Sequence, residues 1–350
     1  MALALFFVFA KEFVLPVVLA FFIAMTFRPI IRILAHRHIP EWLTAGAFIV
    51  IVTVVGGSLI YALMGSVRAF MQDAPNYVQI FKTKFEVLQS SFGAFMNLAT
   101  NIQHAAQPGK SVATQEVVVR DGPPLAYIGQ ITGYSISIIA SLVLTLVIAA
   151  FLMASGDLFY AKMVRVLPTL RDKKTALRIV YDVEHEVSSY LLIVSSINAL
   201  LGLAVSLSFF ALDMPTPFLW GAVAFALNFI PYIGALTGIG LAAFISIVTF
   251  DSLAYAALIP MSYALFTGLE SQIISPLFLG RRLQLNSVAI LLALAFWTWL
   301  WGIAGTMVAV PILVTVKVFC DHLEGLSGIG EFLSAKYPEE QPANPELSKI

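Results

Sequence analysis

A chain of 350 residues that is 59% hydrophobic and 11% charged cannot dress a water-facing surface, since a soluble domain carries about 25% charged residues. Twenty basic side chains against 20 acidic ones leave a net charge of +0, which excludes a nucleic-acid surface built on excess basic charge. The composition is that of an all-α, polytopic membrane helix bundle, and a single cysteine, Cys320, excludes an intramolecular disulfide.

The opening run MALALFFVFAKEF has no basic leading segment and no small-residue cleavage site, so it does not read as a signal peptide. Its apolar part, 2–10, falls short of the roughly 20 residues that a spanning helix needs. It is expected either to be a shortened first helix turning near Lys11-Glu12, or to follow a start further upstream. Residues 13–34 form a span that ends in Arg28, Arg32 and Arg37, and 42–64 form a second, so that 1–64 is a set of N-terminal membrane helices. From 65 to 124 the chain turns mixed and polar. Val67, Phe70, Met71, Tyr77, Ile80, Phe81, Phe85, Leu88, Phe92 and Phe95 recur at helical spacing over 66–99. They predict a pair of amphipathic helices on the membrane surface or against the bundle, with an extramembrane lobe as the alternative. Pro108-Gly109 and Gly122-Pro123-Pro124 mark 101–124 as loop.

Residues 125–153 span once more, and 154–187 make a basic connection with Lys162, Arg165, Arg171, Lys173, Lys174 and Arg178. The C-terminal bundle, 188–320, holds a span at 188–212, a long run at 217–250, a span at 253–279 closed by Arg281-Arg282, and a second long run at 285–320. The tail, 321–350, is polar and carries Pro338, Pro342 and Pro345. Placing the basic connections in the cytoplasm puts 65–124 outside and the C-terminus inside. The scheme closes if 217–250 and 285–320 both enter and return. A straight 36-residue helix would extend about 54 Å, against a hydrocarbon core of roughly 30 Å.

Within the first long run stands LNFIPYIGALTGIG, 227–240. Pro231 removes a backbone donor and disfavours helix at Ile230, and Gly234 tolerates unusual backbone, so a break is predicted near 231–234. Broken backbone in lipid must be satisfied by protein or by water in a cavity, and transporters build substrate sites that way. Asn228 and Thr237 would offer polar groups on either side, and Gly238 would act as hinge or as a close-packing glycine. A plain turn between two spans is the competing reading.

In YALFTGLESQIISPLFLG, 263–280, Glu270 lies inside an apolar span. Tyr263, Thr267 and Glu270 share a helix face, and Thr267, Ser271 and Ser275 repeat every fourth residue. An acid at membrane depth is costly and marks an ion or proton site, unless it serves as a protonated interhelical donor. Pro276 is expected to bend or end this helix. In FWTWLWGIAGTMVAVP, 296–311, Trp297, Trp299 and Trp301 suggest an interfacial belt or interhelical packing. Gly302 and Gly305 would shape a hairpin tip there, with Pro311 behind them.

His36-Arg37-His38 lacks the further ligands a metal site needs, and DVEHE, 182–186, reads as a solvated helix start, with Asp182, Glu186 and Ser189 as possible gate elements. No nucleophile elbow, phosphate loop or HExxH occurs, so neither an enzyme nor an ATP-driven pump is expected, and no cofactor or metal is called for.

The blocks LPVVLAFFIAMTFRPIIRIL, NFIPYIG, LESQIISPLFLG and GIAGTMVAVPIL, in this order around a long polar region, resemble the AI-2E family of transporters. The resemblance implies about eight spans with re-entrant segments, a homo-oligomer such as a pentamer in a bacterial inner membrane, and export driven by an ion gradient. It implies autoinducer-2 as substrate in some members and sodium/proton antiport in others. The expectation is a secondary transporter of a small polar molecule working by alternating access. Asn228, Pro231, Gly234, Thr237, Thr267, Glu270 and Ser271 would line its substrate or ion site. A cation/proton antiporter and a non-transporting scaffold are the alternatives.

Overall fold

Apolar runs with helical periodicity become helices here because a buried peptide group in lipid has no partner but its own chain. The computed structural model describes residues 11–35, 39–104, 128–155, 162, 165, 168–279, 285–323 and 325–334. In chain order the helices are α1 (Lys11–Ala35), α2 (Glu41–His104), α3 (Ile128–Ala154), α4 (Leu170–Ala211), α5 (Pro217–Leu227), α6 (Ile233–Thr249) and α7 (Leu253–Leu269). A π-helical turn, Glu270–Ile274, carries α7 into α8 (Ser275–Leu279), and α9 (Ser287–Trp301), α10 (Ile303–His322) and α11 (Ser327–Leu333) follow. Among the described residues, five helical segments are long and apolar enough to cross a membrane, and shorter apolar helices include α5, α6 and α9. The chain is an all-α membrane helix bundle.

Two differences from the sequence reading concern length. Residues 42–64 and 66–99 lie on one helix, α2, of 64 residues, where a span and an amphipathic pair were expected. Nothing between Met64 and Arg68 breaks helix, so the polar half simply continues the apolar half. The basic connection 154–187 likewise turns helical at Leu170 and runs unbroken into the span as α4, 42 residues long.

Three apolar clusters hold the bundle. Ala20, Ala24, Ala45, Ala149 and Met153 join α1, α2 and α3 through small side chains. Phe22, Met25, Val183, Val187, Trp301, Val310 and Val314 join α1, α4, α9 and α10. Leu201, Val205, Phe209, Trp220, Ala224, Ala242, Ile245, Ile259 and Tyr263 join α4 to α7. The α4–α5 contact is close because both sides are glycine: a Cβ on Gly221 would stand 2.4 Å from the Gly202 carbonyl oxygen.

Polar groups fasten the two ends. Glu184 of α4, 4% exposed, pairs with Arg28 Nε at 3.3 Å and Arg32 Nη1 at 3.3 Å, both from α1. Four residues along α1 from Phe22, Thr26 accepts a bond at its carbonyl from Ser188 Oγ at 3.2 Å. Asp182 meets His322 Nε2 of α10 at 2.8 Å. DVEHE is therefore no solvated helix start: residues 182 and 186 share one face, toward α10, while 184 turns roughly 200° away into α1. Asn286 caps α9 by accepting from Val288 N–H at 3.0 Å, and its own N–H donates to the Leu333 carbonyl at 2.9 Å. The beginning of the expected polar tail, through Leu333, is thus docked as α11, and 335–350 lie outside the described residues. At the other end, Lys84 of α2 donates to the carbonyls of Ile247 and Phe250 at 3.2 and 2.9 Å, a cation on the C-terminal turn of α6. His36, Arg37, His38, Arg281 and Arg282 lie outside the described residues.

Glu184 is the charge on which the α1–α4 packing turns. Glu184→Ala leaves two arginines facing a buried void and is expected to cost about 3 kcal/mol, the low end of the range for a broken buried pair because Arg32 is partly exposed. Lys317→Met, which opens the exposed Lys317–Asp321 pair, is expected to cost less than about 1 kcal/mol. Thermal unfolding of both variants in detergent measures the difference.

Candidate functional site

Helix α5 ends at Leu227 and α6 begins at Ile233, so the run does break between them, at 228–232. With 11 and 17 residues, the two arms are about 16 and 26 Å long, neither sufficient for a full crossing. The backbone of the break is largely satisfied from within. Asn228 N–H donates to the Ala224 carbonyl at 3.0 Å, Ile230 to Leu227 at 2.9 Å and Gly234 to Ile230 at 3.0 Å, while Pro231 has no N–H to satisfy. Ile233 N–H reaches back to the Pro231 carbonyl at 2.7 Å. That bond closes a three-residue γ-turn centred on Tyr232, whose φ of 62° and ψ of −56° are a strained combination for a side-chain-bearing residue.

Gly234 serves a different end from the one expected of it. A Cβ there would stand 1.9 Å from the Leu227 carbonyl oxygen, so glycine is needed for close approach and not for an unusual φ. Gly238 is a packing glycine: its Cβ would lie 2.2 Å from the Tyr263 hydroxyl of α7. Thr237 is exposed and does not join Asn228.

Asn228 instead meets a residue the sequence reading passed over. Its Nδ2 donates to Oδ1 of Asn198 on α4 at 2.9 Å, and Asn198 is 1% exposed. Asn198 sits two positions from the centre of the apolar segment 188–212 and about 21 Å along α4 from Glu184. The break is therefore tied to a buried amide of α4, and an unmet amide so buried costs several kcal/mol. A lone asparagine in SSINALLG was the available signal.

Glu270 opens the π-helical turn and is half-buried. Its Oε1 accepts a hydrogen bond from Ser275 Oγ. The turn changes the register that simple helical spacing assumed: the five-residue step brings Ser275 to Glu270, while Ser271 turns outward and donates to the Gly268 carbonyl at 3.2 Å. Pro276, which cannot donate to the carbonyl four residues back, lies just past this widened turn, and such turns recur at functional sites. Thr267 is 8% exposed, on the face of α7 that packs on its neighbours.

The second run reverses at Gly302, φ 66° and ψ −144°, a region essentially reserved for glycine. A Cβ on Gly305 would stand 2.0 Å from the Trp297 carbonyl oxygen, so α9 and α10 nest at the tip. Thr298 and Thr306 hydroxyls bond across the hairpin at 2.8 Å. Pro311 is buried within α10 and its carbonyl accepts from Thr315 Oγ1 at 2.9 Å. Of the three tryptophans, Trp301 is 2% exposed and Trp299 69% exposed, so the group is part packing and part surface. The site residues fall into two places, the Asn198–Asn228 break and the Glu270 turn, on helices that border α4.

A family model described as the AI-2E family transporter matches residues 1–325. The AI-2 transport protein TqsA of Escherichia coli (strain K12) is 24% identical over 93% of this chain and 90% of its own length. A transport-protein relative from Haemophilus influenzae is 23% identical over 88% of this chain and 86% of its own. YhhT of Escherichia coli (strain K12) is 21% identical over 95% and 91%.

The strained γ-turn predicts that Tyr232→Gly raises the unfolding free energy by about 1 kcal/mol, since glycine adopts that conformation freely. An unfolding midpoint at or below that of the unaltered protein, measured in detergent, would contradict the strain.

Proposed function

The chain belongs to the AI-2E transporter family, and from this premise we propose that it is a secondary transporter that exports a small polar molecule such as autoinducer-2, driven by an ion gradient, by alternating access. The observation that carries this reading is the pairing of Asn228, at a backbone break, with Asn198, near the centre of the apolar segment 188–212 of α4. Polar groups at mid-depth, held by broken helices, are what a substrate needs to leave water. The short arms α5 and α6 and the hairpin α9–α10 are the moving parts. The assembly of α1, α2 and α3 is the support, with the basic ends and the C-terminus in the cytoplasm of a bacterial inner-membrane protein. The similarity to TqsA, named as an AI-2 transport protein, supports autoinducer-2 as the substrate to try first.

The Glu270–Ser275 contact favours a second reading, monovalent cation/proton antiport, in which the carboxylate cycles between proton and cation. In both readings Glu270 couples the gradient. In proteoliposomes, Glu270→Gln is expected to reduce uptake driven by a pH gradient about tenfold, while exchange of labelled autoinducer-2 across the membrane without a gradient stays within about twofold. Gradient-driven uptake unchanged by the substitution would remove Glu270 from the mechanism.

A further inference from the structure

His322 closes α10 and faces an acceptor at each ring nitrogen. Nδ1 lies 2.8 Å from the Val318 carbonyl one turn back, and Nε2 lies 2.8 Å from Asp182 Oδ2 on α4. A carbonyl oxygen cannot donate, so the first contact assigns a hydrogen to Nδ1. A neutral imidazole carries one N–H, which leaves Nε2 as a lone pair. An ionised carboxylate repels that lone pair, so the second contact is a hydrogen bond when the pair holds one further proton. In the imidazolium both nitrogens donate, and the cation sits on the last turn of a helix, where the terminal carbonyls favour positive charge.

The charged groups around the ring act in the same direction. His322 and Asp182 line a cavity of about 320 Å³ between α4 and α10, together with Glu186, Lys317 and Asp321. Glu186, one turn along α4, brings a second carboxylate to the cavity. Lys317 is paired with Asp321 at 2.6 Å and does not replace the imidazolium at Asp182. Glu184 turns away to Arg28 and Arg32 of α1, His185 is exposed outside the lining, and α11 approaches through Gly330, against Asp321. The side chains of His322 and Asp182 are 24% and 46% exposed, so their proton exchanges with water. The joint also acts on a whole unit: Asn286, at the head of α9, donates its backbone N–H to the Leu333 carbonyl of α11 at 2.9 Å, which closes α9, α10 and α11 on themselves. We propose that His322 and Asp182 form a proton-dependent clamp between this unit and α4. Protonation fastens it. As pH rises, Nε2 gives up its proton to water in the cavity, and the contact then rests on Val183, Val187, Val314, Val318 and their apolar neighbours, which frees the end of α10. Histidine is the side chain that changes charge between about pH 5 and 8. The inference concerns a joint between helices and stands apart from cargo and coupling ion.

The test measures the separation of α4 and α10 in the full chain in liposomes, by electron–electron resonance between nitroxides at two exposed positions, His185→Cys and Phe319→Cys, in a Cys320→Ala background. With His322 and Asp182 intact, the distance is expected to lengthen by about 2 Å, or to gain a second, longer population, between about pH 6 and about pH 8.5. Asp182→Asn keeps the shape and gives Nε2 an amide donor to accept from, so the short distance is expected at both pH values. His322→Phe removes both ring nitrogens, and the long distance is expected at both. A distance that does not change with pH when both residues are present would overturn the inference. So would a pH response that survives Asp182→Asn, since another group would then carry it. If His322→Phe fails to purify as a monodisperse species, the near-isosteric Asp182→Asn alone decides.

Discussion

In a hydrocarbon interior a peptide group that loses its helical partner has nowhere else to turn, and every feature of this bundle answers to that constraint. The chain interrupts two apolar runs nonetheless. At Gly302 the interruption is a hairpin tip closed by nesting of Gly305 on the Trp297 carbonyl. At 228–232 it is a sequence of short-range bonds in which proline removes the donor that would have been hardest to place. The backbone is thereby settled locally, and side chains alone carry the polarity that remains.

Helix α4 is the element through which these arrangements meet. Its first half holds Glu184 against two arginines of α1, its second half presents Asn198 to the break, and Gly202 and Ser206 receive Gly221 of α5. The carboxylate and the amide lie on one helix with no proline inside it. The π-helical turn that borders it works oppositely, relaxing the ladder where Glu270 sits.

Composition and glycine-proline punctuation made the membrane bundle, the break near Pro231 and the reversal at Gly302 legible in the chain. The partner of the break was not legible. Asn228 meets Asn198, thirty residues earlier, and no spacing rule links them. Glu270 could be found because an acid stands out in an apolar run, but its partner could not: a 3.6-residue period points back to Thr267 and on to Ile274, and only the π-helical step selects Ser275. Glycine misled in a similar way at Gly234, expected to take up the unusual backbone, while Tyr232 carries that torsion. The cluster 182–186 was read as solvated because charge density alone says nothing about which face is covered.

The grip of Lys84 on the last turn of α6 has a mechanical corollary. The helix that carries Lys84 continues to His104, twenty residues or about 30 Å beyond the anchor. Any tilt of α6 is thus relayed to a long outrigger, and a few degrees of rotation at its fulcrum sweep the distal tip through an ångström or more.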